Sequence, residues 1–429
     1  MFPHDAGPFH GIPELSSLCP RFRFQRDCLI KLLTFTTLYP DSTRPTHGIF
    51  VENRLRHLVA AGKVASRVVA PVPWFPLKRS IFGSYTKYAS VPRKEVWHGI
   101  DVEHPRYPLV PKIGMTAAPW LMAAALKLVL SRIIEDGYDF DIIDAHYFYP
   151  DGVAAVMLGR ALDKPVVITA RGTDLNLIPR YYFPRRMIQR AARDCAAIIT
   201  VCQALKSKLT QLGVADTKVT VLRNGVDLTL FMPPTDRQTL RKRLELTNKT
   251  LLSVGNLVPL KGHDISIASL RHLPGHSLMI AGEGPEREKL QKLAARIGVG
   301  ERVRFLGRVK HEGLPEYYGA ADALVLASSR EGWANVLLES LACGTPVIAT
   351  GTGGSPEIIS TPEAGVLIDD RSDQGLSQGV ELLFSSYPDR TATRNFAEQF
   401  SWDATTAGQE RLFAQVLASR SVDAVCTNH

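Results

Sequence analysis

The carboxylate of Glu339 is the first feature of this sequence that calls for a chemical explanation. It lies within VLLESLACG (336–344), a run too apolar for a water-facing helix, and it follows Glu331 by eight residues. At 1.5 Å per residue, eight helical residues separate two carboxylates by at most about 12 Å. That distance is long for a catalytic carboxylate pair, but it suits two groups that bind opposite ends of one extended ligand.

Between the two glutamates the sequence predicts the start of a helix, around Trp333, Ala334 and Asn335. The first N–H groups of a helix have no partner within it, and they attract phosphate. A ligand with a sugar at one end, a diphosphate in the middle and a ribose at the other would fit this arrangement. The buried carboxylate of Glu339 needs hydrogen-bond donors, and ribose hydroxyls or an internal arginine or lysine would supply them equally well.

Strands and helices alternate along the chain, and this alternation predicts parallel sheets. Strand runs such as PVVITA (165–170) and AAIITV (196–201) are apolar along their length rather than at alternate positions, which suits strands covered on both faces by helices. The alternation pauses at residues 227–246, where Pro233 and Pro234 occur, and then restarts. We therefore predict an α/β fold of two doubly wound Rossmann-like domains that face each other across a cleft, with ligands bound where the strands end.

The positive charge of the chain is concentrated in its first half. The whole sequence has 51 Lys and Arg against 42 Asp and Glu, a net charge of +9, but residues 1–230 have 30 against 19 and residues 231–429 have 21 against 23. Six arginines lie between residues 171 and 193, interleaved with three aromatic residues. An anionic membrane surface, a phosphate-bearing substrate or nucleic acid would account for this charge, and nucleic acid ranks last because no nucleic-acid-binding module is recognisable. A solvated helix face is the alternative.

The composition argues against a membrane-spanning protein and against a zinc protein. The longest apolar stretch, MTAAPWLMAAAL (115–126), contains Pro119 and is shorter than the ~20 residues that cross a bilayer. Residues 1–29 contain four prolines and scattered charges rather than the apolar core of a secretory signal, and we interpret them as a poorly ordered extension. The six cysteines show no metal-type pairing, which is typical of reduced thiols in a cytoplasm.

The segment EGWANVLLESLACGTPVIATGTGGSPE (331–357) resembles the signature of the family 4 glycosyltransferases, retaining enzymes with the two-domain GT-B fold. That signature consists of Glu, seven residues, a second Glu and then Gly-Gly-x-Pro-Glu, and the resemblance extends over residues 30–410. It implies that Glu331 contacts the sugar of a nucleotide-sugar donor and that Glu339 binds the ribose of that donor.

A second segment resembles the part of the family that binds the donor diphosphate. LLSVGNLVPLKGHDISI (251–267) is similar to the family's strand and loop, and Lys261 stands where the family has its diphosphate-binding lysine. Asn256 stands where many members have an arginine. We expect Arg171 or Arg308 to supply the missing positive charge.

Glycine-containing loops match the family as well. In IAGEGPEREKL (280–290), Gly282 and Gly284 stand in the loop that lines the nucleotide site of the family, and VRFLGRV (303–309) resembles the segment that helps to recognise the base. Gly48 precedes a predicted helix and matches the family's glycine loop, which approaches the donor phosphates.

Three further segments supply residues that the resemblance places around the sugar and the acceptor. DAHYFYPDGVAA presents His146 after a strand, matching a histidine that lines the family's sugar pocket. TARGTDL is similar to Thr-x-His-Gly-x-Asp, with Arg171 in place of the histidine and with Asp174 retained. RNGVDLTLF matches the family's Asn-Gly-Val-Asp segment through Asn224, with Arg223 where proline is common.

The resemblance implies a division of the chain by role. We expect residues 30–230 to form the acceptor-side domain and residues 231–390 to form the nucleotide-sugar donor domain. Residues 391–420 would form helices that return toward the first domain.

We predict a hexosyltransferase that moves a sugar, with retention, from a UDP- or GDP-sugar to a saccharide or polyprenyl-linked saccharide in bacterial polysaccharide or glycan biosynthesis. The leaving diphosphate gains negative charge, which Lys261, the loop at Gly48 and the helix start after Glu331 would stabilise. Glu331 would orient the sugar, and His146 would bond its hydroxyls. Because no DxD pair of aspartates follows a strand, we expect neither a metal nor another cofactor.

Two other functions remain open. One is a nucleotide-sugar isomerase or epimerase on the same fold, and the other is a non-catalytic nucleotide-sugar binding module. For location, the sequence favours the cytoplasm, with docking on the inner face of the cytoplasmic membrane through the basic first domain.

Overall fold

A computed structural model describes residues 29–74, 88–108 and 114–426, with side chains described as far as residue 421. The extension predicted over residues 1–29 lies outside this range, apart from Leu29. The strands are β1 (Ile30–Phe35), β2 (Val64–Val69), β3 (Val72–Trp74), β4 (Lys94–Trp97), β5 (Ile100–Glu103), β6 (Arg106–Pro108), β7 (Ile142–His146), β8 (Val166–Ala170), β9 (Ala197–Thr200), β10 (Val219–Val221), β11 (Lys249–Val254), β12 (His276–Ala281), β13 (Val303–Gly307), β14 (Ala323–Leu326), β15 (Val347–Thr350) and β16 (Gly365–Ile368).

Helices follow most of these strands, as the alternating sequence pattern predicts. They are α1 (Ile49–Ala60), α2 (Ala118–Glu135), α3 (Val153–Leu162), α4 (Thr173–Asn176), α5 (Tyr182–Asp194), α6 (Gln203–Gln211), α7 (Arg237–Arg243), α8 (His263–Ser269), α9 (Arg287–Arg296), α10 (Leu314–Ala320), α11 (Asn335–Ala342), α12 (Ser355–Ile358), α13 (Asp373–Ser385), α14 (Arg390–Ala397) and α15 (Trp402–Cys426).

The strands form two large sheets. The first has the order β10-β9-β8-β7-β1-β2-β5-β4 and is parallel except for the antiparallel edge pair β4 and β5. The second is wholly parallel, with the order β13-β12-β11-β14-β15-β16. Both orders are doubly wound, and the predicted fold class is confirmed. The order reverses between β1 and β7 in the first sheet and between β11 and β14 in the second, so ligands are expected at the carboxyl ends of these strands.

Side chains of the first sheet pack alternately into two hydrophobic cores. Leu32, Ile142 and Val167 belong to one core, whereas the next residues along the same strands belong to the other. Every residue of β7 and β8 is buried. Strands buried on both faces account for the continuous apolar runs in the sequence, because neither face of the sheet meets water.

The chain passes from one sheet to the other between the end of β10 and the start of β11, in residues 222–248. The last helix, α15, then packs back against α1 of the first domain. Phe413 and Val416 of α15 share a core with Leu55 and Leu58 of α1. The first domain therefore includes a segment from the C-terminal end of the chain.

None of the helices in the described ranges combines the length and the apolarity needed to cross a bilayer. Within the same ranges, no group of three or more His, Cys, Asp and Glu side chains is arranged to hold a metal ion. Cys195, Cys202 and Cys343 are free and buried.

Candidate functional site

Lys261 and Glu331 meet at the point where the strand order of the second sheet reverses. Lys261 follows β11, Glu331 follows β14, and these two strands are neighbours in the sheet. Lys261 Nζ lies 2.7 Å from Glu331 Oε1, and the two side chains are 22% and 10% exposed. The structure thus brings together two residues that the sequence assigned to one site, and it adds an ion pair between them that the sequence did not predict. A ligand phosphate bound here would meet a lysine that is already positioned.

The loop that holds Glu331 touches the first domain. The side-chain amide of Asn176 donates to the main-chain oxygen of Glu331 over 3.0 Å. A Cβ added to Gly332 would lie 2.0 Å from the main-chain oxygen of Arg171, so only glycine permits this approach. Glu331 is therefore positioned by both domains, which meet at the carboxyl ends of β8 and β14.

Glu339 lies in α11 and is 9% exposed. The hydroxyl of Tyr318 donates to its Oε2 over 2.7 Å, and Nε2 of His311 lies 3.4 Å from its Oε1. Burial by itself lowers the pKa of His311, but the hydrogen bond and the charge of Glu339 outweigh burial, and the pKa of His311 is raised above its usual value. From the sequence, the donors to the Glu339 carboxylate were expected to be ribose hydroxyls or an internal arginine or lysine. Among the described residues, the internal donors are instead a tyrosine and a histidine.

This arrangement leaves acceptor capacity on Glu339. A carboxylate oxygen has two lone-pair sites, and 3.4 Å is at the long end for a hydrogen bond. Oε1 can therefore accept from a ligand hydroxyl without losing the bond between Tyr318 and Oε2. Tyr318 and His311 were missed by the sequence reasoning because neither belongs to a recognisable motif.

The start of α11 offers main-chain donors. Ala334 is the N-cap residue and makes no side-chain cap, and the indole of Trp333 packs near Phe400 with ring centroids 6.2 Å apart. Trp333 and Ala334 are both buried, so they can reach a ligand through their backbone N–H groups rather than through their side chains. Asn335 accepts a hydrogen bond from Asn224 of the first domain over 3.2 Å.

The predicted glycine loops each connect a strand to the helix that follows it. Gly48 precedes α1 with φ of 71°, and a Cβ there would lie 2.3 Å from the main chain of Leu38, so glycine is required. In the second domain, the N–H of Gly282 donates to Gly307 over 2.8 Å. Gly284 follows in the same loop, at the carboxyl end of β12.

The two arginines proposed to replace a cation at position 256 have different environments. Asn256 itself is exposed after β11. Arg308 is 54% exposed at the end of β13, and its guanidinium lies 3.4 Å from Glu283. Arg171 is buried in the first domain. Of the two, Arg308 is accessible to a ligand in this structure.

Arg171 and His146 form a buried pair at the carboxyl ends of β7 and β8. Arg171 Nη2 donates to His146 Nδ1 over 2.6 Å, and Arg171 Nη1 donates to Asn224 Oδ1 over 3.2 Å. His146 Nε2 lies 3.1 Å from an Asp144 oxygen. Burial, together with the charge of Arg171, lowers the pKa of His146, so the imidazole is neutral; because Arg171 donates to Nδ1, the proton of the ring is on Nε2. Both ring nitrogens thus have protein neighbours, and His146 supports Arg171 in this structure.

Asp174 organises the loop that precedes α4. Its carboxylate accepts hydrogen bonds from the backbone N–H groups of Phe148, Arg171 and Gly172. Because these bonds occupy a fully buried carboxylate, Asp174 shapes the floor of the site rather than presenting a free oxygen to a ligand.

Arg54 is a buried residue of this network that the sequence reasoning missed. It is 1% exposed and donates to Gln409 of α15, to the main-chain oxygen of Leu222 and to Asn224. Burial lowers its pKa to about 10. The sequence does contain a signal, because Arg54 lies on the same helical stripe as the buried Val51 and Leu58. An arginine on an apolar stripe must find buried acceptors.

Two family models and a number of individual proteins are similar to this chain. A model described as "Glycosyltransferase Family 4" matches residues 49–230, and one described as "Glycosyl transferases group 1" matches residues 236–400. The Bacillus subtilis protein TuaC, named as a teichuronic acid biosynthesis glycosyltransferase, is 30% identical over 361 residues, which cover 82% of this chain and 88% of TuaC.

Solved structures show the same architecture. Sucrose-phosphate synthase from Thermosynechococcus elongatus superposes with a TM-score of 0.73 at 19% identity, over 91% of this chain and 99% of the synthase. HepE from Anabaena, solved in complex with UDP, superposes with a TM-score of 0.68 at 20% identity, over 90% of this chain and 100% of HepE.

Proposed function

Since the chain belongs to the family 4 glycosyltransferases, enzymes of the GT-B fold, we propose that it transfers a hexose from a UDP- or GDP-sugar to a saccharide, with retention at the anomeric carbon. The observation that carries this proposal is the meeting of Lys261 and Glu331 where the second sheet reverses its strand order, beside the uncapped start of α11. The relatives' part in bacterial glycan synthesis, stated in the name of TuaC, supports a saccharide or polyprenyl-linked saccharide as the acceptor.

The chemistry requires stabilisation of the leaving diphosphate. Glycosyl transfer passes through an oxocarbenium-like state while negative charge develops on the leaving group. Lys261 supplies a fixed positive charge, and the backbone N–H groups at the start of α11 supply oriented dipoles. In the free protein Glu331 holds Lys261 at 2.7 Å. Once a donor is bound, the diphosphate takes over Lys261 as partner, and Glu331 can then accept hydrogen bonds from the sugar hydroxyls.

The first domain provides the opposite wall of the site. Gly48 lets the chain approach the donor phosphates at the start of α1. His146 and Asp174 hold the Arg171 loop against Gly332, and Asn224 links this loop to Asn335. We assign to these first-domain residues the positioning of sugar and acceptor against Glu331. No metal or other cofactor takes part in this proposal.

A transfer assay with a panel of UDP- and GDP-sugars, with and without a chelator, tests the function. Release of nucleotide together with glycosylation of an added acceptor, undiminished by the chelator, is the expected outcome. An isomerase or epimerase would convert the donor when no acceptor is present. A binding module would take up the donor in calorimetry and never release nucleotide. Either result would replace the proposal.

Replacing Glu339 by glutamine is expected to weaken the binding of UDP or GDP about tenfold, because a hydrogen bond to a charged acceptor contributes more than one to a neutral amide. The glutamine carbonyl can still accept from Tyr318, so the fold should be retained. Isothermal titration calorimetry measures the affinity, and Glu288→Gln on the exposed face of α9 is the matched control. Equal affinity in all three proteins would remove Glu339 from the nucleotide site.

We further propose that the first domain docks peripherally on the inner face of the cytoplasmic membrane. Arg185, Arg186 and Arg190 are exposed on α5, and Tyr182 and Phe183 at its start are 62% and 64% exposed. Exposed aromatic and basic side chains on one helix suit the interface of an anionic bilayer. A solvated helix face remains the alternative.

Flotation with vesicles that contain phosphatidylglycerol distinguishes membrane docking through α5 from a solvated helix face. We expect replacement of Arg185, Arg186 and Arg190 by glutamine to lower the partition coefficient about a hundredfold, since each basic residue near an anionic surface contributes on the order of 1 kcal/mol. The control replaces three exposed cations of α9, namely Lys289, Lys292 and Arg296. If both triple variants float like the wild-type protein, α5 is a solvated face.

A further inference from the structure

A groove runs along the first domain between α3 and α5. It encloses a cavity of about 550 Å³ whose walls include Val156 and Met157 of α3 and Met187 of α5, with Trp120 of α2 on one side. Arg186 and Arg190 of α5 also line the cavity, so its wall is partly charged. The apolar part of the wall can accommodate a hydrocarbon chain.

At one end the groove opens into a second cavity of about 710 Å³ with a different character. The two cavities share Val156, Arg160, Arg190, Arg193 and Asp194, and the second is also lined by Asp163, Lys164 and Arg420. We call this second cavity the basic basin. An apolar groove that leads into it matches an amphiphile with one hydrocarbon end and one anionic end.

Some of the positive charges in the basin have no carboxylate partner among the described residues. In the described part of the chain, neither Arg160 nor Arg193 has a carboxylate within 4.0 Å, and Arg190 lies 3.8 Å from Asp194. Lys164 pairs with Asp139, which lines neither cavity, and Arg420 pairs with Asp163, which lines the second cavity. Two guanidinium groups are therefore available to bind a phosphate bidentately.

We propose that this groove binds one molecule of an anionic phospholipid, with its acyl chain along α5 and its phosphate between Arg160 and Arg193. The exposed Tyr182 and Phe183 stand at the opposite end of α5 from Arg193, about 16 Å away for a helix of this length. The acyl chain of the lipid thus points toward Tyr182 and Phe183, which enter the bilayer, and the phosphate points away from the bilayer interior.

A phosphate bound between Arg160 and Arg193 would lie far from the donor site, so the proposed lipid is not the acceptor. Lys164 and Ala196 line the basin, and they precede β8 and β9, so the basin lies at the amino edge of the first sheet. Glu331 approaches the carboxyl edge of the same sheet. A saccharide attached to the bound phosphate would face away from the catalytic cleft. The lipid is a membrane component that fixes the orientation of the enzyme, and the inference does not depend on the proposed donor or acceptor.

The test uses dioctanoyl phosphatidic acid below its micellar concentration and the full-length protein in titration calorimetry. Saturable binding at one site is expected for the wild-type protein. The double variant R160Q/R193Q is expected to weaken this binding about tenfold or more, because it removes two charge-assisted contacts to phosphate. Val156→Trp, which fills the junction of the two cavities, is expected to abolish binding. Transfer to a water-soluble acceptor should stay unchanged in both variants.

Arg185→Gln is the matched control, because Arg185 is exposed on α5 but lines neither cavity. Equal loss of binding in R185Q and R160Q/R193Q would show diffuse attraction to the helix and overturn the proposal. Binding of inorganic phosphate with the same affinity as the lipid would reduce the groove to an anion site, and equal binding of dioctanoyl glycerol would exclude a role for the arginines. If Val156→Trp does not fold, Met187→Gln tests the apolar wall, and unchanged lipid affinity in that variant also overturns the proposal.

Discussion

Replacing Lys261 by alanine is expected to lower kcat for sugar transfer about 100- to 1000-fold, the effect typical of removing one fixed group that stabilises a developing anion. Glu331→Ala is expected to cause a loss of similar size, because the sugar would no longer be held beside the leaving diphosphate. Steady-state kinetics with the donor identified from the panel measures both effects. Undiminished turnover in both variants would overturn the assignment of the site.

The contact between Lys261 and Glu331 predicts how the effects of the two substitutions combine. Since the diphosphate separates this ion pair when the donor binds, its stabilisation belongs to the free protein alone, and each single variant already loses it. In kcat/KM, which refers to the free protein, the double variant should therefore lose more than the product of the two single losses. Lys292→Ala is the matched control, because Lys292 pairs with Glu288 on the exposed surface of α9. That variant should turn over like the wild-type protein.

Replacing Arg54 by alanine is expected to lower the free energy of unfolding of the first domain by about 3–5 kcal/mol, because several polar groups lose their donor at about 1–3 kcal/mol each. The change leaves Gln409, Asn224 and the main-chain oxygen of Leu222 without this donor, and Gln409 and Asn224 are buried side chains. These partners belong to α15 and to the connection after β10, so the attachment of α15 to α1 should weaken as well.

Urea denaturation followed by circular dichroism measures this change in the full-length protein. Arg56→Ala on the same helix is the control, since Arg56 is 49% exposed and lies 3.6 Å from Glu52. Its effect should stay within about 0.5 kcal/mol, as for most surface substitutions. Equal midpoints for the Arg54 and Arg56 variants would mean that the buried network contributes nothing to stability.

Much of the fold was predictable because its causes are local. Continuous apolar runs such as that of β8 indicate strands buried on both faces, and the helical segments between them require parallel connections. The break around Pro233 and Pro234 coincides with the connection between the last strand of the first sheet and the first strand of the second. The sequence predicted the fold class but not the order of the strands, because strand pairing joins residues that are distant in sequence.

For the site, the sequence predicted the secondary-structure elements that carry its residues. The pattern of Glu331, Glu339 and the glycines that follow indicated a strand, a loop and a helix start, and the structure has β14, a loop and α11 there. The structure also places Lys261 beside Glu331, as the common edge of parallel strands implies. The ligand roles of these residues stay predictions that the kinetic and binding experiments test.

What the sequence by itself determined is the type and order of the elements and the positions of the motifs at strand ends, since periodicity and turn residues act over a few neighbours. What only the tertiary structure decided is which polar groups meet. Lys261 pairs with a residue 70 positions away, and Arg54 with one 355 positions away. The partners of Glu339 and His146 were decided in the same way, because a buried polar group must find whichever donors and acceptors the packing of distant segments brings within about 3 Å.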